Sequence, residues 1–496
     1  MSTQNLALLT DLYELTMAYG YWKLSRERGS SLAERQAVFH LSFRNNPFAG
    51  GFAIAAGLES VIDYLRHFQV TAEDAAYLGT LTGNDGKALF DAGFLRELEG
   101  MRVACDIDAV PEGTVIFGHE PLVRVRGPLL QCQLLETALL TLVNFETLIA
   151  TKAARVTLAA RGEPILEFGL RRAQGIDGGI TASRAAYLGG CAATSNVLAG
   201  KRFGIPVKGT HAHSWVMCFD DEADAFEAWA EVMPNNCTLL VDTYNTLEGV
   251  RHAVQTFLRL RARGHKPAGI RLDSGDLAYL SIEARKILDE AGLREVPILA
   301  SNDLDETIIR SLKEQGAAIT IWGVGTKLVT AYDQPALGGV YKLSALQQQD
   351  GSWGHKIKLS EQKAKTSIPG ILQVRRFRGA DGRVIGDMIY DELTTGAGSM
   401  GGGTEIIDIV DVTRKKPIAA GTAFEDLLQP IFRGGKLVYE SPPLERIRER
   451  TLGQLQTLHP GILRSIYPHE YPVGLEPGLN ALRNELILRY RRPGGV

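Results

Sequence analysis

Residues 297–327 read PILASNDLDETIIRSLKEQGAAITIWGVGTK, and this stretch decides the fold. The apolar run PILAS precedes the helical pattern DETIIRSLKEQG, which is followed by a second apolar run, AITIWGVG. Short apolar runs joined by a helix are typical of parallel strands that are buried on both faces. The stretch therefore predicts a βαβ unit.

The same alternation extends from Pro164 to Thr330. The predicted strands of this repeat are ILEFG (165–169), IPVKG (205–209), TLLVD (238–242), GIRLD (269–273), PILAS (297–301) and AITIWGVG (318–325). Their spacing favours a closed or partly closed parallel α/β barrel, with two Rossmann halves as the alternative.

The segments outside the repeat have other patterns. Asp11 followed by Glu14 predicts the capped start of a helix that ends near Lys23. AVFHLSFR (37–44) alternates and predicts a half-buried strand, and GGFAIAAGLESVIDYLRHF (50–68) predicts an amphipathic helix. The other predicted elements are a small antiparallel sheet over 102–126, a helix over 133–160, strands around GHKIKLS (354–360) and MIYDEL (388–393), a flexible loop over 396–403 and a basic helical tail over 483–496.

Composition excludes several classes of protein. The 496 residues carry 54 Lys and Arg against 57 Asp and Glu, a net charge of -3, so the chain as a whole is not suited to nucleic acid or an anionic membrane. The five cysteines form no CxxC pair, which disfavours a disulfide framework or a thiolate zinc site. No basic residue precedes Lys23, and no uninterrupted apolar run reaches the roughly 18 residues of a membrane span. We therefore expect reduced thiols in a cytoplasmic protein.

A polar or glycine-rich loop follows nearly every predicted strand. These loops read FGLRRAQGIDGG (168–179), KGTHAHSW (208–215), VDTYN (241–245), RLDSGD (271–276), ASNDLD (300–305) and GVGTK (323–327). One such loop is commonly only a helix cap. Because the carboxyl ends of parallel strands meet at one edge, six of them together predict an active site there.

The residue types in these loops suit a phosphorylated sugar. GVGTK opens a helix with two glycines and a threonine, which allows backbone N–H groups to approach a phosphate. The charged candidates are Arg171, Arg172, Arg271, Asp242, Asp273 and Asp276. The arginines suit carboxylate or phosphate oxygens and the aspartates suit Mg²⁺ or ribose hydroxyls, although each arginine alone is equally compatible with a structural ion pair.

Two histidines, His211 and His213, lie in the second loop. A His-x-His pair after a barrel strand also occurs in metal-dependent hydrolases, but such a site needs ligands at later strand ends. The other histidines in and after the repeat do not follow its strands, so the metal-hydrolase interpretation fails. A packed histidine with one hydrogen bond describes His211 better than His213.

Long motifs in collinear order resemble one family, nicotinate phosphoribosyltransferase. They are LLTDLYELTMAYGY (8–21), FHLSFRNNPFAGGFAIAAGLESV (39–61), VNFETLIATKAARV (143–156), EFGLRRAQGIDGGITASRAAYLGGCAATSNVLAGKRFGIPVKGTHAHSWV (167–216), LVDTYNT (240–246), GIRLDSGDL (269–277), ASNDLDE (300–306) and GVGTKLVTAYDQPALGGVYKL (323–343). The resemblance covers about residues 6–370, most of the chain.

The resemblance implies an irregular parallel α/β barrel like that of type II phosphoribosyltransferases, with a second α+β domain from the N- and C-terminal segments. On this basis we expect an N-terminal α+β domain over 1–130, a barrel over 131–343, and a segment over 344–496 that packs with both. The implied reaction joins nicotinate to 5-phosphoribosyl 1-diphosphate with ATP hydrolysis, accompanied by Mg²⁺, in the salvage branch of NAD biosynthesis. The implied assembly is a homodimer with shared active sites.

The resemblance also implies roles for individual residues. His213 matches the histidine that such enzymes phosphorylate transiently. The residues implied around nicotinate are Phe168, Thr210, Arg271 and Tyr13, the last supplied by the partner in the dimer. Arg171 would lie near the nicotinate carboxylate or the phosphates, Asp242 and Asp273 would face the ribose, and Gly323, Gly325 and Thr326 would hold the 5-phosphate.

Two alternatives have discriminating features. A nicotinamide-using relative shares the fold and the histidine but carries an acid about where Ser195 stands, and an acid there would repel nicotinate. A catalytically silent relative would act only as a metabolite-binding or scaffold protein. The presence of every expected motif residue disfavours that second alternative.

Overall fold

The structure is a computed structural model that describes residues 5–361, 365–395 and 403–491. The chain divides into two compact units. The terminal unit comprises Met1–Leu148 and Ala336–Val496, and the barrel unit comprises Ile149–Pro335. The segments on either side of the barrel unit in sequence therefore combine into one body.

The helices follow in chain order, with short 3-10 turns at Pro47–Ala49 and Leu170–Arg172. They are α1 (Leu12–Arg28), α2 (Leu58–His67), α3 (Ala72–Leu78), α4 (Ala92–Glu99), α5 (Leu129–Gln133), α6 (Glu136–Ala160), α7 (Ile176–Leu188), α8 (Val197–Phe203), α9 (His213–Val216), α10 (Glu222–Val232), α11 (Thr246–Ala262), α12 (Leu277–Glu290), α13 (Glu306–Glu314), α14 (Thr326–Val329), α15 (Leu444–Thr457) and α16 (Pro477–Arg491).

The strands alternate with these helices in the barrel unit and follow one another in the terminal unit. They are β1 (Gln36–Ser42), β2 (Ala53–Ile54), β3 (Asp106–Ala109), β4 (Val115–Ile116), β5 (Val123–Pro128), β6 (Ile165–Glu167), β7 (Ala193–Thr194), β8 (Thr238–Leu240), β9 (Gly269–Leu272), β10 (Ile298–Ala300), β11 (Ile321–Val324), β12 (Val340–Gln347), β13 (Trp353–His355), β14 (Leu372–Arg378), β15 (Val384–Asp391), β16 (Thr404–Asp408), β17 (Lys415–Ile418), β18 (Ala423–Asp426), β19 (Gln429–Arg433), β20 (Lys436–Leu437) and β21 (Val473–Leu475).

The barrel unit contains a parallel sheet in the order β7-β6-β11-β10-β9-β8. Its strands carry fully buried apolar side chains, as expected of a parallel sheet whose connections are helices. Examples are Ile165, Leu239, Ile270, Ile298 and Val324. The repeat in the sequence thus produces the predicted parallel α/β architecture.

The two edge strands, β7 and β8, are connected through an irregular segment. Val207 forms a single parallel bridge with Thr194. The Leu240 N–H donates to His211 Nε2 at 3.2 Å. The prediction of a full strand at IPVKG was wrong, because Pro206 has no N–H with which to continue a ladder, and β7 takes the place of that strand in the sheet. This closure makes the barrel irregular.

The terminal unit is α+β. A seven-stranded sheet has the order β13-β12-β1-β5-β3-β19-β20, and a six-stranded sheet has the order β17-β16-β21-β15-β14-β18. β1 pairs antiparallel with β12, and β3 pairs antiparallel with β19, so strands from both ends of the chain alternate in one sheet. This confirms a second α+β domain formed from the N- and C-terminal segments.

Several predicted elements differ in detail. α1 continues past Lys23 to Arg28 and ends at Gly29 with φ 59°, and the Asp11 side chain makes no capping bond to α1. β1 is buried on both faces rather than one, because it lies inside the seven-stranded sheet. The predicted helix over 50–68 divides into β2 and α2. Most of the predicted loop over 396–403 lies outside the described residues.

The predicted domain boundaries at 130 and 343 do not coincide with the borders of the compact units, which follow Leu148 and Pro335. α6 begins in the terminal unit and continues into the barrel unit, so no loop marks the first border. The division of the chain into three domains stays a prediction.

One helical stretch in the described ranges, Leu129–Ala160, has the length and apolar composition of a membrane span. The most apolar part of this stretch is 67% buried within the protein. Glu146 and Lys152 are among its buried side chains. Buried core helices share this length and apolar composition, so the stretch is weak evidence for a membrane segment.

Candidate active site

Arg271 on β9 makes three side-chain hydrogen bonds at the carboxyl edge of the barrel sheet. Its Nε donates to Ser301 Oγ at 2.7 Å, Nη1 to Thr210 Oγ1 at 3.0 Å and Nη2 to Asp273 Oδ1 at 2.8 Å. The guanidinium carbon also lies 5.6 Å from the centre of the Phe168 ring. A guanidinium held on three sides presents a fixed cation beside an aromatic face.

Asp273 is held by the same contacts. Its Oδ1 accepts hydrogen bonds from Ser301 Oγ and from Arg271. Burial raises the pKa of Asp273, but the hydrogen bond from Ser301 and the Arg271 charge outweigh that effect and leave the pKa below its ordinary value. Asp273 is therefore ionised at neutral pH.

Asp242 follows β8, and its side chain is 1% exposed. Its Oδ2 accepts from the Asp273 N–H at 2.9 Å and from Ser274 Oγ at 2.6 Å. Its Oδ1 is buried and has no hydrogen-bond partner among the residues that the structure describes. A buried carboxylate oxygen without a partner is costly, so this atom is available for a ligand that the site is built to hold.

His213 begins α9 and faces both carboxylates. Its Nε2 lies 4.0 Å from Asp242 Oδ1 and 4.0 Å from Asp273 Oδ2. Its Nδ1 lies 3.2 Å from Thr243 Oγ1, and the side chain is 40% exposed. The geometry places an accessible imidazole nitrogen next to two acids, which suits a group that changes its charge during a reaction.

His211 has a different environment. It is buried against the Trp229 ring, with the ring centres 5.1 Å apart. Its Nε2 accepts from Leu240, and its Nδ1 lies 3.3 Å from the Ala212 carbonyl oxygen. Burial lowers the pKa of His211 to about 4, so the ring is neutral at physiological pH. This agrees with the prediction of a packed histidine.

Arg171 and Ser195 lie after the neighbouring strands β6 and β7. Arg171 is exposed in the Leu170–Arg172 turn. The Ser195 N–H donates to the Glu167 carbonyl at 2.9 Å. Asn196, not Ser195, caps α8, since its Oδ1 accepts from the Ala199 N–H at 3.1 Å. Helix capping therefore does not explain the presence of Ser195.

The GVGTK loop follows β11 at the same edge. Gly323 makes room for Phe168, because a Cβ at this position would lie 2.8 Å from the ring. Thr326 begins α14, whose first N–H groups have no acceptor within the helix. Lys327 is engaged elsewhere, with its Nζ 2.6 Å from Asp305 Oδ2. The loop thus offers backbone donors and the Thr326 hydroxyl rather than a lysine.

Tyr13 belongs to the terminal unit, where it lies on α1 and is 46% exposed. Its hydroxyl is hydrogen-bonded to Glu136. Partial burial, followed by the charges of Glu136 and Glu14, raises the pKa of Tyr13 to about 12. The Tyr13 side chain is therefore neutral at physiological pH. It belongs to the terminal unit, whereas the other candidate residues belong to the barrel unit.

Sequence reasoning missed Ser301, Thr243 and Glu167. Ser301 and Thr243 follow β10 and β8, so the strand-end rule had a signal for both. Glu167 had none, because it lies inside the predicted strand ILEFG (165–169), whose other residues are apolar or glycine. Asp276 Oδ1 caps α12 by accepting from the Tyr279 N–H at 3.0 Å, so this oxygen has a structural role. Across the described residues, no group of three or more His, Cys, Asp or Glu side chains forms a metal centre.

Comparisons with known proteins match one family over nearly the whole length of the chain. A sequence model of the nicotinate phosphoribosyltransferase (NAPRTase) family matches residues 164–367. Models of the N-terminal and C-terminal domains of nicotinate phosphoribosyltransferase match residues 8–144 and 372–483. The nicotinate phosphoribosyltransferase of Bacillus subtilis (strain 168) is 43% identical over 475 residues, which cover 95% of this chain and 93% of that protein.

Solved structures agree as well. The crystal structure of human nicotinic acid phosphoribosyltransferase is 33% identical, with a TM-score of 0.82 over 96% of this chain and 99% of that chain. The crystal structure of nicotinate-nucleotide pyrophosphorylase from Pyrococcus furiosus is 21% identical, has a TM-score of 0.67 over 91% of this chain and 95% of that chain, and shares the fold.

The irregular parallel barrel and the α+β unit built from both ends of the chain define the fold class, that of type II phosphoribosyltransferases. At 43% identity over nearly its whole length, the chain belongs to the nicotinate phosphoribosyltransferase family.

Proposed function

We propose that the protein joins nicotinate to 5-phosphoribosyl 1-diphosphate, forming nicotinate mononucleotide and diphosphate, and that ATP hydrolysis drives this step of NAD salvage. The observation that carries the proposal is the single cluster of Arg271, Asp273, Asp242 and His213 beside Phe168. It combines a fixed cation, two carboxylates, an accessible imidazole and an aromatic face at the carboxyl edge of a barrel.

Nicotinate binds between aromatic and cationic groups in this proposal. Phe168 supplies a flat apolar face, and Arg271 with Thr210 supplies charge and a hydroxyl for the carboxylate. Tyr13 of a second copy covers the other face of the ring. Ser195 keeps the pocket free of an additional acid, which favours nicotinate over nicotinamide.

The sugar phosphate lies along the rest of the edge. Asp242 and Asp273 face the ribose, while Gly323, Gly325 and Thr326 hold the 5-phosphate through N–H and hydroxyl donors. Arg171 is exposed beside this edge and neutralises carboxylate or phosphate charge. The ring nitrogen forms a bond to the first ribose carbon, and the carbon–oxygen bond to diphosphate breaks with its electron pair leaving on oxygen.

The residues present also fit Mg²⁺. Asp242 Oδ1 and Asp273 Oδ2, both 4.0 Å from His213 Nε2, would be the oxygen ligands, and one or two carboxylates with substrate phosphates are typical for this ion. Bound with the diphosphate, Mg²⁺ supplies positive charge that stabilises the leaving group. The chain's own part is to orient the reactants and exclude water around a cationic sugar carbon, since no protein nucleophile toward the sugar is needed.

His213 is the proposed site of transient phosphorylation. If its Nδ1–H donates to Thr243, Nε2 carries a lone pair beside Asp242 and Asp273 and can attack the terminal phosphorus of ATP, with ADP leaving. Hydrolysis of the phosphohistidine then returns the imidazole and phosphate. The phosphorylated ring changes the charge beside the two carboxylates, which couples ATP turnover to the affinity for the sugar diphosphate.

We further propose a cytoplasmic homodimer with shared sites. Exposed apolar side chains lie on the segments that follow β6 and β7: Leu170, Ile176, Val197, Leu198 and Val207. The terminal unit exposes Leu12, Tyr13 and Met17 on α1. It also contains a cavity lined by Arg44, Lys342 and Lys365, with no acidic side chain among its described lining residues. A cavity with this cationic lining suits the phosphate groups of a substrate that is bound by a second copy of the chain.

Mixing subunits tests the shared site. Tyr13→Ala is expected to raise the KM for nicotinate far more than it lowers the melting temperature, since the side chain is half exposed. Mixed with a variant that is inactive in the barrel unit, it is expected to recover up to about one good site per heterodimer, because both defects then fall in one site. No recovery under conditions of demonstrated subunit exchange would contradict sharing.

Product analysis tests the reaction itself. The protein is incubated with 5-phosphoribosyl 1-diphosphate, Mg²⁺ and either nicotinate or nicotinamide, with and without ATP. The proposal expects nicotinate mononucleotide as the main product, with faster formation and ADP release when ATP is present. Formation of nicotinamide mononucleotide alone would contradict the substrate, and the absence of any nucleotide product would favour a silent binding protein.

A further inference from the structure

Glu167 is a buried acid that belongs to no part of the reaction described so far. It ends β6, is 1% exposed, and is directly followed by Phe168. Both of its carboxylate oxygens and its carbonyl oxygen accept hydrogen bonds. These donors lie in the turn after β6, on α7, at the end of β7 and in the loop after β7, so they include two loops at the edge where the proposed nicotinate pocket lies.

The first loop is the turn that carries Arg171. Glu167 Oε1 accepts from the N–H of Gly169, which immediately precedes the Leu170–Arg172 turn. A Cβ at Gly169 would lie 2.5 Å from Val329 Cβ, so this backbone is in close contact with its neighbour. The carboxylate therefore fixes where the turn begins, directly after the Phe168 ring.

The second loop is the one that carries Ser195. Glu167 Oε2 accepts from Thr194 Oγ1 at 2.6 Å and from Ser183 Oγ at 2.9 Å. The Glu167 carbonyl accepts from the Ser195 N–H at 2.9 Å. Asn196 extends the network, because its Nδ2 donates to Ser183 Oγ at 3.1 Å. The backbone before and at Ser195 is thus held by the same residue as the Arg171 turn.

Hydrogen bonds to a buried carboxylate are strong, and removing one leaves a buried polar group without a partner. We propose that Glu167 is a positioning residue that fixes the Phe168–Arg171 turn and the Thr194–Ser195 loop relative to each other, and so sets the width of the nicotinate pocket. The proposal rests on the proposed function, since it assigns the width of that pocket to an acid that never touches the substrate.

A matched pair of substitutions tests it. Thr194→Val removes a hydroxyl that donates to Glu167 and accepts from the Asn196 N–H. Thr181→Val removes a hydroxyl that is also buried, 8% exposed against 1%, but that donates within α7, to the Asp177 carbonyl at 2.8 Å. Thr194→Val is expected to raise the KM for nicotinate about tenfold, which is about 1.4 kcal/mol. The kcat and the KM for the sugar diphosphate should change less than about twofold, and Thr181→Val should change none of the three.

Thr194→Ser serves as the conservative rescue, because it retains the hydroxyl and loses only a methyl group. It is expected to return the KM for nicotinate to within about twofold of the wild-type value. A similar rise in Thr194→Ser and Thr194→Val would mean that the methyl packing, not the bond to Glu167, is important, and would overturn the proposal.

Glu167→Gln gives an independent measurement, also usable if Thr194→Val does not fold. The side-chain N–H₂ of the introduced glutamine then faces one of the groups that donate to Glu167 in the wild type. The KM for nicotinate is therefore expected to rise at least as much as in Thr194→Val, again with little change in kcat. An unchanged KM, or equal losses in kcat and in both KM values, would overturn the positioning role while leaving the reaction intact. Absence of nicotinate mononucleotide formation by the wild-type protein would instead contradict the proposed function.

Discussion

Two charged clusters in this molecule have nearly the same composition and opposite properties. In the barrel unit, Arg271 lies with Asp273, Asp242 and a serine at the ends of parallel strands, where the Asp273 side chain is 27% exposed and the neighbouring His213 side chain is 40% exposed.

In the terminal unit, Arg376 lies with Asp387, Glu120 and a tyrosine in the interior. Arg376 Nη2 lies 2.5 Å from Asp387 Oδ2, and the Tyr471 hydroxyl donates to Asp387 Oδ1 at 2.8 Å. Glu120 and Asp387 are fully buried. Charges of the same types are therefore open to a ligand where strands end and closed where strands continue, which residue types alone do not reveal.

The largest effect is expected from a substitution in the open cluster, which is the barrel-unit cluster of Arg271, Asp273, Asp242 and His213. His213→Ala is expected to abolish nicotinate-stimulated ATP hydrolysis and acid-labile phosphorylation, because the proposed nucleophile is removed, while slow ATP-independent nucleotide synthesis survives. Radiolabelled ATP, acid lability of the label and product analysis measure this. The melting temperature should change little, since the ring is 40% exposed. Undiminished labelling, or label found on His211, would contradict the assignment.

The second prediction compares the two arginines directly. Arg376→Met leaves the buried Asp387 charge without its guanidinium partner, so a loss of about 3–5 kcal/mol of unfolding free energy is expected. Arg271→Met is expected to cost at most about 1 kcal/mol, because Asp273 is partly exposed and water replaces the lost contact. Thermal and urea unfolding of both variants measure the difference. Equal destabilisation would show that the open cluster is structural.

A third prediction concerns the selectivity of the open cluster for nicotinate over nicotinamide. Ser195→Asp places a like charge near the nicotinate carboxylate, and a repulsion of about 1–3 kcal/mol corresponds to roughly 5- to 150-fold lower discrimination in favour of nicotinate. The relative kcat/KM for nicotinate and nicotinamide measures it. Because Asn196 already caps α8, an effect of the new acid on helix capping is not expected to interfere. An unchanged ratio in a folded variant would reject Ser195 as a selectivity residue.

The fourth prediction concerns the closed cluster and pH. Burial, and then the nearby Asp387 charge, raises the pKa of Glu120 well above its ordinary value. The folded state therefore holds this proton more tightly, and wild-type stability falls as pH rises from the ordinary glutamate range toward the raised pKa, by up to about 1.4 kcal/mol per pH unit. Glu120→Gln mimics the protonated acid and should remove that part of the slope.

Melting temperatures of the wild type and Glu120→Gln, compared from pH 5 to pH 9, measure this slope. His213→Ala provides the control, because it changes a titratable group in the open cluster without touching Glu120. Identical pH dependence in the wild type and Glu120→Gln would mean that Glu120 is ionised in the folded protein.

The parallel repeat was predictable because each strand and helix carries its own local pattern, and the strand-end rule then brought Arg271, Asp273, Asp242 and His213 together. β7 was not predictable, since two residues between glycine-rich and polar segments have no periodicity. Glu167 and Glu120 were missed for a related reason. A buried acid is recognisable only through its neighbours, and Thr194 beside Glu167 and Asp387 beside Glu120 are distant from them in sequence.

The irregular closure of the barrel has a dynamic consequence. Between β7 and β8 the ring of strands is completed by one bridge at Val207 and by the imidazole of His211, which accepts from Leu240. A strand ladder opens only when several hydrogen bonds break together, whereas the bond from Leu240 to His211 is a single bond from a backbone amide to a side chain, so we expect the seam to open more often there. The amide of Leu240 is therefore a built-in reporter, and its hydrogen–deuterium exchange rate measures how often the barrel opens two residues from His213.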